Sequence, residues 1–341
     1  MERVFSGIQP TGELHVGNYL GAIRNWVDMQ ERYDCVFCVV DLHAMTIPYD
    51  PAEMPRRVLA TAATLIGCGI DPERSVLYVQ SHVREHTELC WILNCITPLG
   101  SLQRMTQFKD KSRQHRENLN AGLLNYPILQ AADILLYKAA LVPVGEDQIQ
   151  HLELSRDLAR RFNHLFGDTF PEPQAHLTKA ARVMALNDPT RKMSKSIPGS
   201  YVPLVAEPDE IRSLIRRAVT DTGPRGETMS PGVANLFTLL ESFSAPETVA
   251  QFRAAYEAGT LRYVDLKQQL AEDMVQALAP IRERYRELMS RPQELRDILA
   301  AGADRARAIA RETMAEVRAR TGLELHPSAA SPTVTQAAQP S

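Results

Sequence analysis

Phe5-Ser-Gly-Ile-Gln-Pro-Thr-Gly-Glu-Leu-His-Val-Gly-Asn18 runs from an apolar, strand-like stretch into a glycine- and proline-rich turn and then into His-x-Gly-Asn at the start of a helix. A strand that ends in such a turn and feeds a helix is the phosphate-meeting corner of a nucleotide-binding unit. There, main-chain N–H groups and the helix start face phosphate, Gly17 leaves room for a flat base, and His15 and Asn18 can donate to phosphate oxygens. The spacing is not G-x-G-x-x-G, and no acidic residue closes a second strand as a dinucleotide fingerprint requires, so a nicotinamide-dependent dehydrogenase is disfavoured. A glycine turn that merely joins strand to helix is the plainer alternative for this segment taken alone.

Outward from this corner, residues 34–41 and 75–80 repeat the short β-branched and apolar pattern of residues 3–8, with amphipathic helical stretches between. That is the βαβ rhythm of a parallel sheet. Met54, Val58, Ala62, Leu65 and Ile66 recur near a 3.6 period and stop at Gly67 and Gly69, predicting a crossover helix over 51–68. A further helix from about Leu123 leads to a strand at 141–144, Gly145 opens another long helix to Phe166, and Ala181–Leu186 is again strand-like. Beyond Gly199 the strands give way to helices that begin Pro208-Asp209, Ser230-Pro231 and Ala245-Pro246, with long ones over 264–289 and 292–320. The fold class predicted is α/β: a Rossmann-like parallel-sheet nucleotide-binding domain over 1–190, a loop over 191–200, an all-helical second domain over 201–323 and a disordered tail over 327–341.

The 341 residues carry 38 Lys+Arg against 41 Asp+Glu, a net charge of −3, so the whole molecule is no general polyanion binder. Its positive charge is local. Residues 101–120 hold five cations against two acids and residues 179–195 hold five against one, which leaves −10 for the remainder. The amino end shows no signal or transit pattern and no apolar run is long enough to span a bilayer, so a cytoplasmic protein without membrane attachment is expected. Five cysteines fit reduced thiols. Cys35 and Cys38 stand in an apolar strand three apart, on opposite faces, and are expected to pack rather than to bind metal; no metal site is assigned.

Arg191-Lys-Met-Ser-Lys-Ser196 supplies two lysines three apart between small hydroxyls, a loop able to wrap the β- and γ-phosphates of ATP and to neutralise departing pyrophosphate. With Lys192–Ser196 spelling KMSKS in full and His15-Val-Gly-Asn18 standing where HIGH would be, the chain resembles the class I aminoacyl-tRNA synthetases. Residues 5–12, Gly17-Asn-Tyr-Leu-Gly-Ala22, Asp41-x-His43-Ala, Met105-Thr-Gln-Phe-Lys109, Ala131-Ala-Asp-Ile-Leu-Leu136 and Val142-Pro-Val-Gly-Glu-Asp-Gln148 narrow the resemblance to the bacterial tryptophanyl enzymes. It extends to about residue 323.

The resemblance implies ATP, with Mg²⁺, bound by Gln9, Pro10, Thr11, Gly17, Asn18, Gly145, Glu146, Asp147, Val183, Lys192, Met193, Ser194, Lys195 and Ser196. Lys192, Lys195 and Lys111 would be the catalytic cations. It implies a tryptophan pocket in which Asp133 accepts the indole N–H, lined by Phe5, His43, Tyr126, Gln130, Val142, Val144 and Gln148. Asp133 sits among Leu129, Ala131, Ala132, Ile134 and Leu135, which argues against a solvated carboxylate. A buried acceptor waiting for a donor rejects phenylalanine by roughly 10⁴ to 10⁵. Further implications are tRNA(Trp) as partner, a homodimer, and a helical domain that meets the anticodon. Arg282, Arg284, Arg286, Arg305, Arg307, Arg318 and Arg320 are expected mostly as i, i+4 surface pairs, a few meeting the anticodon stem.

Two departures and two rivals stand beside this. Gln130 replaces a methionine common in the tryptophanyl enzymes, and Tyr126-x-x-x-Gln130-x-x-Asp133 is also similar to the substrate-reading helix of tyrosyl-tRNA synthetases, where all three would share one face. Ile197-Pro198 follows the lysine loop where the family often has an acid, which touches how the loop is latched. A non-charging paralogue would be marked by a damaged lysine loop, whereas Lys192 and Lys195 are both present. Another adenylyltransferase of this fold would not need the helical domain.

Overall fold

A computed structural model of the chain describes residues 1–106, 120–145, 148–177, 181–195, 197–220 and 229–324. Five parallel strands form one sheet in the order β3-β2-β1-β4-β5: β1 Arg3–Ile8, β2 Asp34–Val39, β3 Val76–Val79, β4 Leu141–Val144 and β5 Gln174–Leu177. β1 runs in register with β2 from Arg3 opposite Asp34 to Ile8 opposite Val39. On its other side β1 meets β4, so the strand order reverses between them, and ligand crevices of open α/β sheets open outside the carboxyl ends at such a point.

The strand residues divide by parity. Val4, Cys35, Phe37, Val39, Leu77 and Val79 enter one core, with the helices Met54–Gly67 and Tyr263–Ser290. Phe5, Val36, Cys38, Val76 and Tyr78 enter the other, with Glu85–Ile96, Ala121–Leu136 and Ile149–Phe166. Cys35 and Cys38 therefore do pack on opposite faces. The last helix, Pro292–Thr321, serves both cores: Leu295 and Leu299 join the first, Ala303, Ala306 and Ala310 the second. At the crossover it covers the open edge of β3. A Cβ built on Gly302 would fall 1.8 Å from the Leu77 carbonyl oxygen, so only glycine lets the helix lie against that strand.

Three expectations need correction. Ala181–Leu186 is no strand of the sheet. Met184 makes a lone antiparallel bridge to Lys192, because Asp188-Pro189 turns the chain straight back on itself. Instead β5 completes the sheet with Gln-Ala-His-Leu, an edge strand whose partly exposed residues carry no alternation to read. The arginines of the last two helices are mostly not i, i+4 pairs. Arg282 is buried and donates to the Ala206 carbonyl at 3.0 Å, Arg305 caps the carbonyls of Pro72 and Ser75, and Arg318 grips Glu88 at 2.5 Å. Of the seven, Arg320 on Glu316 keeps the i, i+4 spacing, and Arg284 and Arg307 pair three residues away with Glu287 and Asp304. Long planar side chains on these helices reach across to the sheet layer and satisfy its loop carbonyls.

Among the described residues no helix is long and apolar enough to cross a membrane.

Candidate functional site

A cavity of about 240 Å³ opens at the β1–β4 reversal, lined by Phe5, Ser6, Gly7, Gln9, Val40, His43, Gln130, Asp133, Ile134, Val142, Pro143, Val144 and Gln148. Its centre is Asp133, 1% exposed on the helix Ala121–Leu136. That helix starts cleanly, since the Asn120 side chain accepts the Leu123 N–H at 2.9 Å. Three donors from the ends of two strands converge on the carboxylate. His43, on the short helix after β2, meets Oδ2 through Nε2 at 2.7 Å. Gln80, just after β3, donates to Oδ1 at 2.7 Å, and His86 Nδ1 meets the same oxygen at 2.6 Å. An ionised carboxylate only accepts, so both rings donate to it, and it offers about four lone-pair directions of which three are taken. The open one belongs to Oδ2, the oxygen that His43, itself a wall of the cavity, approaches. Burial pushes the Asp133 carboxyl up, but the charges of His86 and His43 and their hydrogen bonds outweigh it and hold the group below the ordinary carboxylate range.

Of the residues assigned to the amino-acid pocket, Phe5, His43, Gln130, Val142, Val144 and Gln148 line the cavity with Asp133. Tyr126 is not among its walls: its ring stands edge-on behind His43 and its hydroxyl meets His151 Nε2 at 3.0 Å. Tyr126, Gln130 and Asp133 share one face of the helix Ala121–Leu136, and of the three Gln130 and Asp133 line the cavity while Tyr126 packs on His43. Gln130 and Gln148 face each other at 3.4 Å. Two contributors had no local signal in the sequence, and a third, Asp41, stood in a quoted motif with no role assigned to it. Gln80 and His86 come from a segment remote from Asp133. Asp41 clamps the turns after β2 and β3 by accepting the N–H and hydroxyl of Ser81 at 3.0 and 2.5 Å.

Gln9 leads from this cavity into the turn after β1. Gly12 holds φ +146°, and Lys195 Nζ donates to Thr11 Oγ1 at 2.6 Å. The lysine loop thus lies on the turn. Its base is a tight hairpin in which Met193 N–H meets the Val183 carbonyl at 3.1 Å and Ala185 N–H meets that of Arg191 at 2.8 Å. After the loop, Ser200 Oγ donates to the Ser194 carbonyl at 2.5 Å, so the latch is a serine and main chain rather than an acid. A Cβ on Gly17 would lie 3.0 Å from the His15 ring and 3.4 Å from Met193, which accounts for glycine there. Asn18 Oδ1 accepts the His15 N–H at 3.1 Å, leaving its amide nitrogen for a ligand. Two amides that the sequence offered to phosphate are engaged: Val16 N–H goes to Val202, and Asn18 N–H to His15. Side chains, more than the helix start, are therefore left available to an anion.

His15 is buried, with Nδ1 free of any partner, and is pushed down to about 4 by burial and then by Lys195 and Lys192. It is a neutral ring at pH 7. Lys195 is itself lowered, by burial and then by Arg57, so an incoming polyanion would relieve a mutually repelling set of cations. Pro10 is buried beneath the turn, and Gly145 precedes the helix Ile149–Phe166 beside the cavity. Lys111, Glu146, Asp147, Ser196 and the tail over 327–341 lie outside the described residues.

The family model of class I tRNA synthetases for tryptophan and tyrosine matches residues 1–279. Tryptophan–tRNA ligases of Caldanaerobacter subterraneus and Helicobacter pylori are each 47% identical, covering 95% and 94% of this chain and 99% of their own lengths. The chain belongs to the bacterial tryptophan–tRNA ligases. A tryptophanyl-tRNA synthetase of Campylobacter jejuni, solved with ADP and tryptophan, superposes on this ligase with a TM-score of 0.83 at 37% identity, over 94% of this chain and 99% of that one. The tyrosyl-tRNA synthetase of Archaeoglobus fulgidus, at 21% identity and a TM-score of 0.66, shares its fold.

Proposed function

We propose that this chain activates L-tryptophan with ATP to tryptophanyl-adenylate, releases pyrophosphate, and transfers the tryptophanyl group to tRNA(Trp). Asp133 carries the reading: a buried carboxylate at the wall of the switch-point cavity, with one acceptor direction unused, is suited to a ring N–H. Phe5, Val142 and Val144 give that ring an apolar bed, and Gln148 and Gln130 stand where an amino group would be held.

In the first step the amino-acid carboxylate attacks the α-phosphate and the bond to the β-phosphate oxygen breaks. No side-chain nucleophile is needed, so the chain's task is alignment and charge stabilisation. Lys195 and Lys192 neutralise the negative charge that builds on the leaving pyrophosphate, with Thr11 and Asn18 beside them. His15, neutral, donates a hydrogen bond without adding to the crowd of cations. Mg²⁺ enters with ATP as part of the substrate; among the described residues no group of three or more His, Cys, Asp or Glu is placed to hold an ion. In the second step a terminal ribose hydroxyl of tRNA, the 2′-hydroxyl by analogy with the class, attacks the mixed anhydride and AMP leaves. Residues 1–190 with the loop 191–200 would perform the chemistry, and the helices over 201–323 would meet the tRNA of a cytoplasmic homodimer.

Aminoacylation of a tRNA(Trp) transcript with radiolabelled tryptophan tests the whole sequence of steps. Charging with tryptophan is expected. Charging of tRNA(Tyr) with tyrosine instead, or pyrophosphate exchange without any charging, would overturn it.

A further inference from the structure

Behind the cavity wall lies a second layer of polar groups. His86 is fully buried, and with Nδ1–H committed to Asp133 Oδ1 its Nε2 faces two hydroxyls, Tyr78 at 2.8 Å and Tyr137 at 3.0 Å. Its ring stacks on Tyr78, with centroids 5.9 Å apart at 20°. Tyr137 in turn stacks at 5.6 Å and 7° on Phe5, which lines the cavity. Gln80 is equally buried and turns its amide nitrogen to Asp133 Oδ1 while its own Oε1 has no partner. A glutamine kept only for structure would satisfy both ends, since an unpaired buried acceptor is costly. Here the donor end is kept on Asp133 in spite of that. Neither residue touches the cavity.

We propose that His86 and Gln80 are positioning residues for amino-acid selection: together they saturate Oδ1 of Asp133 and fix the carboxylate plane, so that Oδ2 alone is presented to a ring N–H. The inference rests on Asp133 as the acceptor of that N–H. Fixing the plane matters because a carboxylate free to rotate could turn a satisfied oxygen to the cavity, and ring recognition by one hydrogen bond would lose its direction. The tyrosine hydroxyls at Nε2 fix the His86 ring with its Nδ1–H turned to Asp133 Oδ1.

The test compares kcat/KM for tryptophan with that for L-3-(benzothiophen-3-yl)alanine, in which sulfur replaces the ring N–H, by ATP–pyrophosphate exchange in the full chain. Wild type, His86→Leu, His86→Asn and Gln80→Met are measured side by side. Wild-type protein should prefer tryptophan. His86→Leu and Gln80→Met should each reduce that preference by roughly tenfold or more, through a raised KM for tryptophan with the KM for ATP within about twofold of wild type. His86→Asn, whose amide can reproduce the Nδ1 donor, should restore most of it. Should His86→Leu fail to fold, Gln80→Met decides. Parallel losses for both substrates, with the preference intact, would make the two residues merely structural and overturn the proposal. A wild-type protein that does not prefer tryptophan over the sulfur analogue would instead remove Asp133 as the N–H acceptor, and the proposal with it.

Discussion

Replacing Asp133 by asparagine isolates the carboxylate from the shape of the site. Asparagine is isosteric, and the structure shows how it would settle. Its carbonyl oxygen stays toward Gln80 and His86, which both donate to Oδ1 at 2.7 and 2.6 Å, and its NH₂ takes the place of Oδ2 against His43. His43 then moves its proton to Nδ1 and accepts. The helix Ala121–Leu136 keeps its packing, so the fold survives. What changes is the group shown to the substrate: the remaining N–H of the amide faces the indole N–H, donor to donor. The lost hydrogen bond to a charged acceptor costs about 1.5–3 kcal/mol, and the two facing donors left unpaired cost about 1–3 kcal/mol more. Taken near the middle of these ranges, the penalty is about 4 kcal/mol, roughly 10³-fold in kcat/KM for tryptophan. ATP–pyrophosphate exchange reads it directly, with thermal unfolding alongside to show that the variant is folded. Rejection of phenylalanine should narrow at the same time, because the buried acceptor that penalises phenylalanine is gone. Tryptophan activation within about threefold of wild type in a folded Asp133→Asn protein would refute the reasoning.

Lys195→Ala should lower kcat for exchange by roughly 10²- to 10³-fold with the KM for tryptophan within about threefold; unchanged turnover would remove Lys195 from the phosphate chemistry. Gly302→Ala puts a methyl 1.8 Å from the Leu77 carbonyl oxygen, and overpacking of this severity should destabilise the chain by about 3 kcal/mol or more. A urea midpoint equal to wild type would contradict the edge packing of the last helix. His15 falls to about 4 in the folded chain from about 6.5 in an unfolded one. The unfolded state therefore binds the extra proton between these values: the stability is fully present above about pH 6.5 and is lost as pH falls toward 4, by about 3 kcal/mol in all. His15→Asn should flatten this limb of the pH–stability curve. ATP, by countering Lys195 and Lys192, should raise the His15 titration point seen by NMR; no rise would place the phosphates elsewhere.

Local pattern made the sheet legible. Apolar runs at 3–8, 34–41 and 75–80 are three of its strands, and the parity of Cys35 and Cys38 correctly separated its two faces. Pro208, Pro231, Pro246 and Pro292 mark helix starts within a residue, because proline at the first position gives up a hydrogen bond that the helix does not make there. Edge position hid β5. Gln174 to Leu177 pairs on one side only and needs no apolar alternation to stay in place. The arginines of the last helices misled for a related reason: spacing suggested neighbours along the helix, while the partners of Arg282, Arg286, Arg305 and Arg318 are carbonyls and carboxylates more than 70 residues away. In the site, the family resemblance marked Asp133, and its apolar flanks argued against a solvated carboxylate. His86 and Gln80 could not be singled out, since what marks them is convergence on one carboxylate, a property of the folded sheet and not of any window of sequence.

The most direct measurement of the central claim is ATP–pyrophosphate exchange by the purified chain with each of the twenty amino acids in turn. Tryptophan alone should support rapid exchange, tyrosine and phenylalanine falling orders of magnitude below it. Exchange with tyrosine and not tryptophan, or with no amino acid at all, would contradict the account.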